Sequence, residues 1–257
     1  MTIAIISDIH SNLAALEAVM KDLREQDART VYCIGDVIGY GPDPIPCVDI
    51  VMAVCTMSTM GNHDFGLVKM PFGFNKYARE AIEWTRTRMK PGLLDFAARR
   101  RWKWIENLPQ THKEGRIHYL HASPLDPIMD YVKESDVEDM GLGVSDKMKL
   151  IFDKVEHLCF IGHTHRPAVF TDDYHCLRPD QLVDDRMELD PGRKYLINIG
   201  SVGQPRDLDP RACYVLFDGE RNIRFRRVAY DVDQTVQRIH AIPALDPRLG
   251  DRLRDGR

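Results

Sequence analysis

Residues Ile3 to Ser7 form an unbroken apolar run rich in β-branched side chains, and from Asn12 to Glu25 the apolar residues Leu13, Leu16, Val19, Met20 and Leu23 recur at helical spacing. This order predicts a buried strand, a loop and an amphipathic helix. Val31 to Ile34 reads as a second short strand ending in Gly35-Asp36, and Val51 to Met57 as a third leading to Gly61-Asn62-His63-Asp64. The opening is thus a βαβ pattern. Phe65 to Leu108 changes character: it holds the three tryptophans, the basic run Arg99-Arg100-Arg101 and long helical stretches broken at Pro71, Pro91 and Pro109. Strands are expected again at Arg116 to Leu120 and Leu158 to Ile161, with a helix from Ser145 to Val155 between them. Past Pro167 short strands and turns dominate, with apolar runs at Lys194 to Ile199, Ala212 to Phe217 and Ile223 to Val228, then a helix from Asp233 to His240 and a polar tail.

With 257 residues, 44% hydrophobic and 29% charged, the chain is long enough for one large core, so a single domain over 1–257 with a helical insertion at 65–108 is expected. The net charge of -4 argues against a dedicated nucleic-acid or membrane-surface binder. Six cysteines lie scattered without a CxxC pair, which suggests neither a zinc ribbon nor a disulfide framework. The opening Met1-Thr2-Ile3-Ala4-Ile5-Ile6 lacks the basic flank and cleavage site of a signal peptide, and no run of 18 apolar residues follows, so a cytoplasmic protein is expected.

The chemistry lies in position. Five expected strands each run into a polar cluster: Asp8-Ile9-His10, Gly35-Asp36, Gly61-Asn62-His63-Asp64, His121 and Gly162-His163-Thr164-His165. Carboxyl ends of strands are where ligands collect in open α/β sheets. Each cluster alone has an ordinary reading, since a histidine after a strand is usually a core or capping residue, Asp36 could cap a helix, and Gly-Asn favours a turn. Together, in this order, they predict a metal site. Carboxylate, amide and imidazole without thiolate suit Mn²⁺, Fe, Zn²⁺ or Ni²⁺.

The order Asp-x-His, Gly-Asp, Gly-Asn-His-Asp, His, Gly-His-x-His resembles the calcineurin-like metallophosphoesterase superfamily across all five of its motif blocks, from Asp8 to His165. The strings Ser7-Asp8-Ile9-His10-Ser11-Asn12 and Gly200-Ser201-Val202-Gly203-Gln204-Pro205-Arg206 look like its bacterial phosphodiesterase and phosphatase branch. The resemblance implies an α/β fold of four layers, αββα, with two mixed central sheets. It further implies that Asp8, His10 and His165 hold one divalent ion, that Asn62, His121 and His163 hold the other, that Asp36 bridges them and that His63 faces the substrate. Two such ions about 3.5 to 4 Å apart bind a bridging hydroxide and polarise the phosphoryl oxygens. His63 is then the expected general acid.

One departure matters. Protein phosphatases of the superfamily follow the bridging aspartate with Asp-Arg-Gly and read Gly-Asn-His-Glu, whereas here Asp36 precedes Val37-Ile38-Gly39-Tyr40-Gly41 and the second block ends in Asp64. The missing arginine weakens the case for a phosphoprotein substrate. Arg206 is the candidate substitute, as a phosphate clamp, unless it pairs with Asp207 at the surface. Asn12 could donate to phosphate or cap the first helix. Asp64 could orient His63 or cap a turn. Arg99 to Lys103 with Trp102 and Trp104 could face a nucleotide or form an ordinary amphipathic helix. The expected activity is hydrolysis of a phosphomonoester or phosphodiester of a small molecule or nucleotide. A phosphoprotein phosphatase and a metal-binding module without catalysis are the alternatives, and a nuclease is disfavoured by the acidic balance. Oligomeric state is not encoded in any readable pattern.

Overall fold

The computed structural model describes residues 2–69, 73–137 and 143–257. In β1 (Ile3–Ile6) alternate side chains point to opposite faces, so Ile3 and Ile5 join one apolar cluster while Ala4 and Ile6 join another. The same alternation organises the other strands and produces the layers. After β1 come α1 (Leu13–Glu25), β2 (Thr30–Cys33), α2 (Pro44–Val54), β3 (Met57–Ser58), α3 (Asn62–Val68), α4 (Lys76–Met89) and α5 (Phe96–Glu106). The second half runs β4 (Thr111–Glu114), β5 (Ile117–Leu120), α6 (Asp146–Lys154), β6 (Leu158–Ile161), β7 (Ala168–Thr171), β8 (Cys176–Leu177), β9 (Arg186–Glu188), β10 (Tyr195–Asn198), β11 (Ala212–Phe217), β12 (Asn222–Val228), α7 (Val232–His240) and α8 (Arg248–Asp251).

Two six-stranded mixed sheets result, ordered β3-β2-β1-β11-β12-β9 and β4-β5-β6-β10-β7-β8. Their inner faces meet through Ile5, Tyr119, Phe160, Val215 and Phe217, with Phe160 and Phe217 rings 5.4 Å apart. The outer face of the first sheet packs on α1 and α2 through Ala4, Ile6, Leu16, Val19 and Val48. That of the second packs on α6 through Cys159, Ile161, Met148 and Phe152. The expected four layers are therefore present. Each fully buried Leu, Val, Ile or Phe contributes roughly 1.5–3 kcal/mol. A polar tie reinforces the α1 layer: Tyr214 Oη donates to Asp22 Oδ2 at 2.6 Å, and Arg226 Nη2 donates to Asp22 Oδ1 at 2.6 Å.

Two expectations need correction. Val51 to Met57 is the end of α2 followed by a two-residue strand. The run Cys47 to Val54 is almost uniformly apolar, so it has no period to read, and Pro44 in the first turn was the sign of a helix start. The polar tail is folded: Leu245, Leu249 and Leu253 are buried with Val236, Ile239 and Tyr40. Within 65–108 the helices α3, α4 and α5 pack on one another, and α4 and α5 also on α2; Pro71 lies outside the described residues. Trp102 and Trp104 turn toward the core and Arg101 pairs with Asp49 at 2.7 Å, which favours the ordinary amphipathic reading of that helix. No helix of the described residues is long and apolar enough to cross a membrane.

Candidate metal centre

β1, β2 and β3 run parallel, as do β5, β6 and β10, so both sheets deliver strand carboxyl ends to the same kind of loop. The loops after β1 and β2 stay zipped beyond the strands: Asp8 N–H donates to Gly35 O, His10 N–H to Asp36 O and Ser11 N–H to Val37 O, each at 3.0 Å. The two sheets join here, because His163 N–H donates to Asp8 Oδ2 at 3.1 Å. The turn containing Gly200 to Arg206 clamps both, with Gly203 N–H on Asp8 O at 2.9 Å and Arg206 N–H on His165 O at 3.1 Å.

Asp8, His10, Ser11, Asp36, Tyr40, His163 and His165 all have φ between 49° and 66°. Non-glycine residues there are strained by about 1–3 kcal/mol each, a strain that concentrates at functional sites. Gly61 permits a close approach to the cluster, since a Cβ on it would overlap the Asp36 carboxylate.

The side chains so aimed converge. His10 Nε2 is 3.0 Å from His165 Nε2 and 3.6 Å from Asp36 Oδ2. His121 Nε2 is 3.4 Å from Asp36 Oδ2, 3.1 Å from Asn62 Oδ1 and 3.2 Å from His163 Nδ1. The outward ring nitrogens are all taken by carbonyls: His10 Nδ1 by Ile38 O, His121 Nδ1 by Ile34 O, His165 Nδ1 by Gln204 O and His163 Nε2 by Met129 O. A carbonyl only accepts, so in each neutral ring the proton sits on the outward nitrogen and a lone pair faces inward. Lone pairs of His10 and His165 thus meet at 3.0 Å, and Asp8 Oδ1, buried 3.1 Å from His165 Nε2, makes no hydrogen bond. Such acceptors repel unless a cation lies among them. The cluster contains two sets of three that could hold a metal ion, Asp8-His10-His165 and Asp36-His121-His163, and a third, His10-Asp36-His63, that overlaps both.

The electrostatics point the same way. Burial opposes charge on Asp36, yet the imidazoles of His121 and His63 hold its carboxyl well below the usual range. Burial likewise opposes charge on His121, but Asp36 and Asp8 push it up to about 9. A proton on His121 thus does part of what a cation would do. Burial and neighbouring imidazoles lower His10 well below the ordinary value and His163 to about 3.

The remaining expected residues divide. His63 is buried against Tyr40 and Phe74, with ring centroids 4.4 and 5.0 Å away, beside the cluster. Asp64 does not touch His63. Its carboxylate accepts N–H bonds from Asp36 at 2.8 Å, Val37 at 3.1 Å and Gly61 at 3.1 Å, so its assignment as a catalytic partner of His63 is corrected to a brace on the Asp36 turn. Asn12 is corrected too: its oxygen accepts from Ala15 N–H and Thr235 Oγ1, and its amide donates to Gly203 O and Tyr230 Oη, leaving nothing for a substrate. Arg206 makes no pair with Asp207, which takes Arg227; its guanidinium donates to Gln204 Oε1 at 2.6 Å and lies 5.7 Å over the Tyr40 ring. Sequence reasoning overlooked Tyr40, Phe74, Met129 and Tyr131, which line the cavity outside His63. The Gly39-Tyr40-Gly41 string carried the one local sign, an aromatic residue in a turn directly after the Asp36 block.

The described fold has counterparts. A crystal structure of a metallophosphoesterase from Sphaerobacter thermophilus superposes with a TM-score of 0.82 at 32% identity, covering 100% of this chain and 99% of that one. A hypothetical protein from Pyrococcus horikoshii shares the fold at 17% identity with a TM-score of 0.71, covering 100% of this chain and 98% of that one. An uncharacterised protein of Methanocaldococcus jannaschii is 36% identical over 264 residues, 99% of this chain and 98% of its own length. The family model of the calcineurin-like phosphoesterase superfamily domain matches residues 1–222, and with strand ends, motif order and two-sheet architecture all in accord, the chain belongs to that superfamily.

Proposed function

We propose that this protein is a binuclear metal-dependent hydrolase of phosphoester bonds in small molecules or nucleotides. The observation that carries the reading is the buried meeting of acceptors at one point, with Asp8 Oδ1 left without a donor and the inward nitrogens of His10 and His165 only 3.0 Å apart. Asp8, His10 and His165 would hold one ion and Asn62, His121 and His163 the other, and Asp36 would serve both, its Oδ2 lying 3.6 Å from His10 Nε2 and 3.4 Å from His121 Nε2. Mn²⁺ is the preferred occupant, with Fe, Zn²⁺ and Ni²⁺ also suited to these donors. When bound, the ions supply a nucleophile at neutral pH and positive charge on the phosphoryl oxygens.

The protein's own groups do the rest. The carbonyls of Ile34, Ile38, Gln204 and Met129 fix each imidazole in one tautomer and one orientation. His63 protonates the departing oxygen. Burial first, then the nearby charges of His165 and Arg206, lower its pKa to about 4 in the free protein, so it takes up its proton only when an anionic ester beside it raises its basicity. Arg206 neutralises charge on the phosphate. A cavity of about 460 Å³ outside His63 suits a small molecule better than a phosphoprotein loop. All six cysteines are free, in keeping with a reducing, cytoplasmic setting.

The test is hydrolysis of p-nitrophenyl phosphate and bis(p-nitrophenyl) phosphate by chelator-treated protein before and after Mn²⁺ is restored. Hydrolysis that vanishes with chelation and returns with Mn²⁺ supports the reading. Turnover unaffected by complete metal removal would overturn it.

A further inference from the structure

Two lobes open on the carboxylate and imidazole cluster, and they differ in chemistry. The first, about 460 Å³, is walled by Tyr40, Phe74, Met129 and Tyr131, with His63 and His163 at its inner end. Tyr131 stacks on the His163 ring at 3.9 Å and 31°, yet is 45% exposed, so it offers aromatic surface to a ligand. Aromatic walls of this kind take flat rings, each stacked base contributing roughly 1–3 kcal/mol by substitution.

The second lobe, about 510 Å³, shares Tyr131 and is lined by Lys133, Thr164, Arg166 and Arg206. Arg206 connects this lobe to the cluster and to the first lobe, since its N–H donates to His165 O at 3.1 Å and its guanidinium lies 5.7 Å over the Tyr40 ring. Its charge is uncompensated. Among the described residues neither the Arg166 guanidinium nor the Lys133 ammonium has an ion-pair partner, and Arg206 donates to the neutral Gln204. Glu134, the one carboxylate among the described residues that line the lobe, is paired with Arg178 at 3.3 Å. Unpaired guanidinium groups facing a cleft are suited to a phosphate or carboxylate held by two parallel N–H bonds.

Resting on the phosphoesterase reading, we infer that the preferred substrate is a phosphodiester or phosphoanhydride with an aromatic group on one arm of phosphorus and a second anionic group on the other, Arg166 binding that second anion while Arg206 stays on the phosphate that reacts. The aromatic arm is the one that leaves, because His63 borders its lobe. Water's oxygen becomes bonded to phosphorus with loss of one proton to solvent, the P–O bond to the aromatic arm breaks, and its electron pair departs with that oxygen, which takes the proton from His63; a proton from solvent then restores His63. The other arm stays on the phosphate product.

The experiment compares p-nitrophenyl methyl phosphate with the analogue whose methyl is replaced by a 2-phosphoethyl chain, so that the leaving group is constant and only the second anion differs. Wild-type protein loaded with Mn²⁺ should favour the second ester by about tenfold or more in kcat/KM, chiefly through KM. R166A should lose that preference while keeping its metal content and melting temperature, and R166K should recover part of it. Calorimetric binding of the two corresponding phenyl phosphonates, which are not hydrolysed, should show the same difference. Equal kcat/KM on both esters, or a preference retained in R166A, overturns the inference and leaves the phosphoesterase reading standing. Failure to hydrolyse either ester when fully loaded overturns the phosphoesterase reading, and the phosphonate pair still decides the anion lobe: tighter binding of the second anion by wild type alone supports it, equal binding refutes it.

Discussion

Asp64→Asn isolates the brace from the chemistry. The carboxylate faces N–H donors from four residues: Oδ2 accepts from Asp36 at 2.8 Å and Gly61 at 3.1 Å, and Oδ1 accepts from Val37 at 3.1 Å and Ile38 at 3.4 Å. Asparagine has the same shape but must turn an NH₂ toward one side. If the amide replaces Oδ1, Val37 and Ile38 N–H groups lose that acceptor; if it replaces Oδ2, Asp36 and Gly61 N–H groups do. Two buried donors then lose their acceptor at about 1–3 kcal/mol each; burial and then the neighbouring Asp36 push the Asp64 carboxyl up to about 7, so the lost charge adds to this mainly above that pH. The expected loss is about 2–5 kcal/mol, a large part of a total that is typically 5–15 kcal/mol. Because the braced turn is the one that carries Asp36, metal affinity should fall along with stability. The assay is urea unfolding of wild type and variant, with and without Mn²⁺, alongside metal content. Had Asp64 oriented His63, the variant would stay stable and loaded while turnover dropped. A stability change under about 0.5 kcal/mol with full metal content would refute the brace.

Three further outcomes follow from other contacts. Asp36→Asn should weaken both ions, since Asp36 Oδ2 approaches both His10 and His121, whereas His10→Ala should mainly weaken one; equal mild loss in metal titrations of the two variants would count against the bridge. His63→Ala should keep its metal and lose about 10²–10⁴ in kcat/KM on alkyl and nucleoside esters but less on p-nitrophenyl esters, because nitrophenolate departs without a proton; a uniform loss across leaving groups would reassign His63 to positioning. Asp22→Asn should destabilise the α1 layer by about 2 kcal/mol at neutral pH. Burial opposes its charge but Arg226 and Tyr214 prevail and lower its pKa, so the contribution is full above the ordinary value of 3.8 and fades as pH falls below it; unfolding at pH 7 and pH 3 should show the gap between wild type and variant shrinking, and a gap that widens on acidification would contradict the assignment.

Much of the fold was legible because it follows local pattern. The strands Leu158–Ile161 and Ala212–Phe217 have the bounds that their apolar runs predict, and α6 starts after the Ser145 cap and ends before Val155. The α2 segment was not legible because an apolar run without period fits a strand or a buried helix equally. The tail misled in the opposite sense: Leu245, Leu249 and Leu253 keep helical spacing, but prolines and charges between them hide it. At the site, motif order brought the right side chains to one end of the sheets. What holds them was not readable, because carbonyls such as Gln204 O, 39 residues from His165, leave no trace in side-chain sequence. Asp64 and Asn12 show the same limit, since a buried carboxylate or amide looks alike in sequence whether it meets backbone or substrate.

The central claim is that one cluster holds two cations with Asp36 between them. Equilibrium dialysis of metal-free protein against Mn²⁺, with manganese counted per chain, tests it most directly. The account predicts two ions per folded chain; saturation at one ion, or at none, would contradict it.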